Sequence, residues 1–265
     1  LGKGTKVSDI LTNTDKEYEA KLKLGITTDT QDISGQVLSQ SQVNVTPEEI
    51  KTAIHSFQGE LQQVPPMYSA LKVNGKKLYE LARQGMVIER KPRTITIHQI
   101  QILDIQEAII IIRVSCSKGT YIRTLCHDIG EKLGCGATMV SLKRTKVSSF
   151  SLEDSLTLDQ VQDLVKKKEI HNYIIAIDKI FIDYEKIKVS EEAERLLFNG
   201  NKLKPEHILD CNINFFSQEK GIEVDSVHSG EGRKYRVYDS KDKFVAIYEF
   251  DEEKDQLIPV KMFKE

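Results

Sequence analysis

Apolar and polar residues alternate from Tyr18 to Leu24, with Tyr18, Ala20, Leu22 and Leu24 in one phase and Glu19, Lys21 and Lys23 in the other. A period of two is the pleat of a half-buried strand, so a strand is predicted with Tyr18 on its apolar face. Gly25 and the polar stretch 27–35 interrupt it as a loop. Thr46-Pro47-Glu48-Glu49 is a capping box with Pro in the first helical turn, and predicts a helix to about Phe57, before Gly59. Val64-Pro65-Pro66 then forces extended chain. Residues 77–83 read as a short basic helix closed by Gly85. From Thr94 to Leu103 the alternation returns, but its apolar phase slips between Ile97 and Ile100, which predicts a bulge near His98. Ala108 to Val114 is a β-branched run, the pattern of a strand buried on both faces.

The segment Ser117-Lys118-Gly119-Thr120-Tyr121-Ile122-Arg123 is a polar hinge leading into a helix. Ile122, Leu125, Cys126, Ile129 and Leu133 recur at helical spacing as its buried stripe, and Gly134 ends it. Thr157-Leu158-Asp159-Gln160 opens another helix, through about Lys168. Ser190 caps a third long helix, with Glu191 and Glu192 in its first turn and Asn199-Gly200 after its last. Beyond it the pattern changes to short strands at 233–238, 244–250 and 257–263, a compact all-β meander. The reading is an α+β domain over 1–182, with a mixed or antiparallel sheet flanked by helices, then a small β-domain over 185–265.

Composition narrows the class. In 265 residues, 39% hydrophobic and 29% charged content describes a globular chain. No apolar run approaches the roughly 18 residues of a membrane span; the longest is Ala108 to Ile112. With no basic leader before an apolar segment, and with four cysteines too few for a disulfide framework, the expectation is a cytoplasmic protein. Nothing in the pattern demands more than a monomer. Cys116, Cys126, His127 and Cys135 crowd together, but no close Cys pair occurs and Cys126 lies on a buried stripe. They read as buried thiols, and no metal is expected; Cys211 stands apart. Lys118-Gly119-Thr120 lacks the upstream glycine of a phosphate-binding loop.

The net charge of −2 hides an asymmetry. Residues 1–184 carry 24 Lys/Arg against 22 Asp/Glu, whereas residues 185–265 carry 14 against 18. Between Pro66 and Arg93 stand Lys72, Lys76, Lys77, Arg83, Arg90, Lys91 and Arg93, against Glu80 and Glu89 only. A second basic stretch runs from Ser117 to Lys146. Local charge suits a phosphate-rich partner, although two solvated faces would read the same. At the hinge, Arg123 can hold a carboxylate by a charge-assisted pair while Tyr121 offers a ring face or a hydroxyl. A structural reading stands beside this one, in which Arg123 caps a neighbouring helix and Tyr121 is core.

These residues resemble the bacterial tRNA pseudouridine synthase B family. The resemblance is carried by Ser117–Arg123, Met67-Tyr68-Ser69-Ala70-Leu71-Lys72, residues 75–85 and Gly130–Gly136. Further matches are Asp15-Lys16-Glu17-Tyr18, the Thr28-Asp29-Thr30-x-Asp32-x-x-Gly35 loop and Leu142-Lys143-Arg144-Thr145. It covers about residues 1–150, and the C-terminal meander resembles the family's PUA-like RNA-binding domain. It implies isomerisation of a T-loop uridine in tRNA to pseudouridine, with the base flipped into a pocket and no metal or cofactor. It further implies that Tyr18 stacks on the base and helps remove the C5 proton, that Tyr121 and Leu142 line the pocket, and that Lys6 contacts substrate. Arg123 would pair with the nucleophilic Asp, Asp32 would belong to the polar network around them, and the basic 66–93 segment would grip RNA.

One departure bears on the chemistry. The family's nucleophile sits in Gly-x-Leu-Asp-Pro-x-Ala, and no such string occurs here; Asp9, Asp15, Asp29 and Asp32 all lack the Leu-Asp-Pro context. The nucleophile is expected upstream of Leu1, the chain is expected to be N-terminally incomplete, and this stretch alone is expected to be inactive. Arg123 then needs another acid or water. The rivals are a tRNA-binding and folding module without catalysis, and a guide-RNA-dependent pseudouridine synthase.

Overall fold

The computed structural model describes residues 2–209 and 233–264, so Leu1 and Cys211 lie outside the described residues. They form two compact units, Ile10–Leu158 and Asp159–Glu265 with Leu1–Asp9. Among the described residues no helix is long and apolar enough to cross a membrane.

α1 (Ser8–Thr12), of which Ile10 onward belongs to the first unit, leads into β1 (Lys16–Leu24), followed by a hairpin of β2 (Ile26–Thr28) and β3 (Val37–Gln40). Then come α2 (Pro47–His55), β4 (Gly59–Gln63), a ribbon of β5 (Lys72–Val73) and β6 (Lys76–Lys77), and α3 (Leu78–Arg83). The long strands β7 (Arg93–Gln106) and β8 (Ile109–Cys116), α4 (Ile122–Lys132), β9 (Ala137–Val147) and β10 (Phe150–Ser151) complete it. A six-stranded sheet runs β10-β9-β1-β8-β7-β4. All its pairings are antiparallel.

The alternation of β1 sets the core. Ala20, Leu22 and Leu24 are buried on one face, where α2 and α4 add Ile50, Ile54, Ile122, Leu125 and Ile129. Burying each such aliphatic contributes roughly 1.5–3 kcal/mol, so this stripe decides which face the helices cover. The Thr46 box forms as expected: Thr46 Oγ1 accepts from the Glu49 amide at 3.3 Å, and the Glu49 carboxylate accepts from the Thr46 amide at 2.7 Å. At His98 the register of β7 on β8 skips from Ile97 opposite Cys116 to Gln99 opposite Ser115, the predicted bulge.

Two elements differ from their reading. β8 is buried on one face only, with Ile110, Ile112, Val114 and Cys116 inside. The opposite face, with Ile109, Ile111 and Arg113, is only half-buried, and Arg113 there stands 3.6 Å from Glu19. The segment after Ser190 is a 3-10 turn, Glu191–Ala193, and a short helix, and the Ser190 side chain makes no cap.

In the second unit, α5 (Leu158–Lys166) precedes β11 (Glu185–Lys188), and α6 (Glu194–Phe198) is that short helix. β12 (Lys234–Tyr238), β13 (Phe244–Asp251) and β14 (Gln256–Met262) form the antiparallel meander. β11 adds to it in parallel, giving the order β11-β12-β13-β14. Val189, Leu197, Tyr235, Val237 and Tyr248 pack its core, with the Tyr248 hydroxyl satisfied by the Asn201 carbonyl at 2.9 Å.

Candidate active site

The site is built where β8 hands over to α4. Gly119, at φ +80°, supplies the left-handed turn that a side chain would resist, and the Thr120 hydroxyl closes it on the Ser117 carbonyl at 2.9 Å. The Thr96 amide donates to Ser117 Oγ at 2.9 Å, fixing the hinge to β7. Tyr121 is the N-cap of α4 but makes no side-chain cap. Its backbone is held instead by buried Gln63, whose Oε1 accepts from the Tyr121 amide at 2.8 Å and whose Nε2 donates to the Tyr121 carbonyl at 3.1 Å. Arg123 then stands in the first turn of the helix.

The loop between β2 and β3 comes to meet it. Gln31 adopts φ +63°, and the following residues hang on β9: the Met139 amide donates to the Gln31 carbonyl at 3.1 Å and the Ile33 amide to the Met139 carbonyl at 2.8 Å. The Thr124 hydroxyl donates to Gln31 Oε1 at 2.8 Å, tying the loop to α4. Asp32 Oδ1 accepts from the Ser34 amide at 3.1 Å, the Thr30 hydroxyl at 3.0 Å and the Ser34 hydroxyl. Its other oxygen takes Arg123 Nη1 at 3.1 Å. Burial alone would raise the Asp32 carboxyl, but the Ser34 and Thr30 hydrogen bonds and the Arg123 charge outweigh it and hold it below the ordinary carboxylate value. Asp32 is therefore a carboxylate at neutral pH and the acid on which Arg123 rests.

Tyr18 lies opposite Val114 on β8 and Arg144 on β9. It is two positions from the Lys16–Cys116 pair, after which the hinge leaves the sheet. Burial, then the neighbouring Cys116, pushes its phenol above the usual value, while Arg144, by charge and hydrogen bond, pulls the other way. Leu142, opposite Ala20, is 43% exposed, so the buried face of β1 opens to solvent at this end. Arg144 belongs to one of the motifs that carry the resemblance but has no role assigned from sequence; it is part of the Tyr18 environment. The Cys116 thiol is pushed by burial up to about 11, and fully buried Cys126 up to about 12, so neither supplies a thiolate near neutral pH.

The basic residues divide. Lys72, Lys76, Arg83 and Lys91 are exposed on the insertion between β4 and β7, and Arg93 is exposed at the start of β7. Lys77 is half-buried, and its ammonium and the Arg83 guanidinium each sit 5.5 Å from the Tyr79 ring. Arg90 is half-buried and donates to the Pro65 carbonyl at 3.2 Å, stapling one end of the insertion to the other. Lys6 lies in the other unit, with its ammonium on the Met262 carbonyl at 3.1 Å. Gln63 was missed because a polar residue at a strand end reads as solvent-facing; only its place before Val64-Pro65-Pro66 marks it.

The comparisons agree with the motif resemblance. Residues 1–122 match the TruB family pseudouridylate synthase N-terminal domain, and residues 123–187 match the tRNA pseudouridylate synthase B C-terminal domain. A tRNA pseudouridine synthase B of Lachnoclostridium phytofermentans is 47% identical over 271 residues, covering 99% of this chain and 84% of that protein. Another, of Clostridium novyi, is 46% identical over 248 residues, covering 93% and 78%. Among solved structures, a Cbf5-Nop10-Gar1 complex matches with a TM-score of 0.66 at 24% identity, covering all of this chain and 71% of that one. That likeness is one of fold, and it fits the α+β reading.

Proposed function

The chain belongs to the TruB family of pseudouridylate synthases, and we propose that it isomerises a T-loop uridine of tRNA after flipping the base from the loop. In this reaction the C1′–N1 bond breaks, the uracil turns, and a C1′–C5 bond forms. C5 gives up its proton and N1 gains one, so the product is an isomer of the substrate. Tyr18 supplies the ring against the base and a hydroxyl close to the departing C5 proton; Tyr121 and Leu142 line the pocket. Arg123 orients the nucleophilic Asp that the family's reaction uses, while Asp32 holds the guanidinium from the other side. Residues 1–182 form the catalytic domain, residues 185–265 a PUA-like RNA-binding domain, and Lys72, Lys76, Lys77, Arg83, Arg90, Lys91 and Arg93 grip the T-arm. The protein works as a cytoplasmic monomer without metal or cofactor.

The observation that carries this reading is the Arg123–Asp32 pair at 3.1 Å, set beside the Tyr18–Arg144 register. Tritium release from tRNA labelled at uridine C5 tests it in the complete gene product: release from free tRNA, mapped to the T-loop, is expected. Salt-sensitive tRNA binding without release would overturn the chemistry in favour of a binding module. Release only when a guide RNA is added would overturn action on free tRNA.

A further inference from the structure

We propose that Gln63 is a positioning residue that couples the basic insertion to the catalytic end of α4. The inference rests on the functional reading of Tyr121 and Arg123 given above. Gln63 is the last residue of β4 and pairs with Arg93, the first of β7, so the two form the neck through which the insertion leaves and re-enters the sheet. Its side chain is 5% exposed and turns away from the insertion to take both backbone groups of Tyr121. An amide presents one donor and one acceptor side by side, so it matches a single extended residue as a neighbouring strand would. Tyr121 is extended, at φ −97° and ψ 103°, and its carbonyl also accepts the first helical bond, from the Leu125 amide at 3.0 Å.

Gln63 therefore sets where α4 begins and, two residues on, where Arg123 projects. A second tie runs in parallel. The Tyr68 hydroxyl, just beyond the neck, lies 3.4 Å from Asp29 Oδ2, and Asp29 Oδ1 accepts from the Gln36 amide at 2.7 Å. Asp29 belongs to the same loop as Asp32. The root of the insertion is thus tied to Tyr121, two residues before Arg123, and to Asp29, three before Asp32, so force on the insertion from bound RNA reaches the elements that hold the pair.

Gln63→Met keeps the volume and removes both hydrogen bonds; Gln63→Glu keeps the acceptor and sets a carboxylate oxygen against the Tyr121 carbonyl. In the complete gene product, Gln63→Met is expected to lower single-turnover pseudouridine formation by about 10- to 100-fold while tRNA affinity changes far less. Gln63→Glu, divided by wild type at each pH, is expected to recover as the pH falls and the new carboxyl becomes a donor. Hydrogen exchange without RNA is expected to quicken at residues 117–124 in Gln63→Met and to stay unchanged in β1 and β9. Wild-type turnover and tRNA affinity in Gln63→Met, or a rate loss that merely follows a lowered melting temperature with exchange raised throughout the unit, would overturn the proposal. Absence of turnover in wild type itself would instead overturn the functional reading, while selective exchange at 117–124 would still support the clamp.

Discussion

Arg123 and Asp32 stand 91 positions apart in the chain and meet at 3.1 Å through the one Asp32 oxygen that Ser34 and Thr30 leave open. Arg123 is placed by the start of α4 and Asp32 by a loop hung on β9, and the Thr124–Gln31 hydrogen bond ties that loop to the helix. Their side chains are 29% and 22% exposed, so removing either one leaves a charge in a place that water reaches poorly. The pair is a docking point between the start of α4 and the β2–β3 loop.

Arg123→Lys retains the charge and gives up the planar fork that can hold two acids at once. Turnover is expected to fall by about 100-fold or more, with tRNA affinity changed only a few-fold. Tritium release and filter binding on one preparation measure both. Equal losses would assign Arg123 to phosphate.

Asp32 gives a pH dependence whose sign is fixed by its lowered pKa. A carboxyl held below its unfolded value adds stability that is complete above that value and is lost as the pH falls through the folded one. The difference in melting temperature between wild type and Asp32→Asn is therefore expected to be widest near neutrality and to shrink below about pH 4. A difference that stays constant from about pH 7 to about pH 3 would contradict the hold of Ser34, Thr30 and Arg123 on the Asp32 carboxylate.

Gly130 sets two effects against each other. Alanine in place of a helical glycine gains about 1 kcal/mol from propensity. A Cβ at Gly130, however, would overlap the backbone of Gly136 and Ala137, which cannot swing aside as a side chain end could. Overpacking of this kind costs about 1–3 kcal/mol or more, so Gly130→Ala is expected to destabilise. Urea unfolding measures it, and a stabilised variant would mean that α4 and β9 stand further apart.

Replacing Lys72, Lys76 and Arg83 together by alanine removes exposed charge from the insertion and leaves the sheet untouched. The slope of log affinity for tRNA against log salt is expected to flatten by about 0.7–0.9 for each phosphate that is no longer neutralised. Turnover at saturating tRNA should hardly change. An unaltered slope would place the RNA elsewhere.

What the sequence reveals follows from how far each signal reaches. β1, the Thr46 box and the His98 bulge were legible because period, cap and phase slip are written in neighbouring residues. The β2–β3 hairpin was not, since every residue of β3 is exposed and its alternation carries no burial. Nor was β11, four residues long and joined in parallel to a strand far along the chain. At the site, the hinge stood out by type and place, whereas Tyr18 came only with the family resemblance. The direct partnership of Asp32 with Arg123, and the hold of Gln63 on Tyr121, depend on tertiary approach and left no local trace.

Because Gln63 and Arg93 face each other across one rung of the sheet, everything from Val64 to Pro92 hangs from a single opening in the β4–β7 hairpin. The framework's register is settled outside that opening, so a longer, shorter or exchanged segment there would leave the strands where they are. Diversification of this fold toward other RNA shapes has, at that rung, a place where length can drift over generations while the sheet beneath stays as it is.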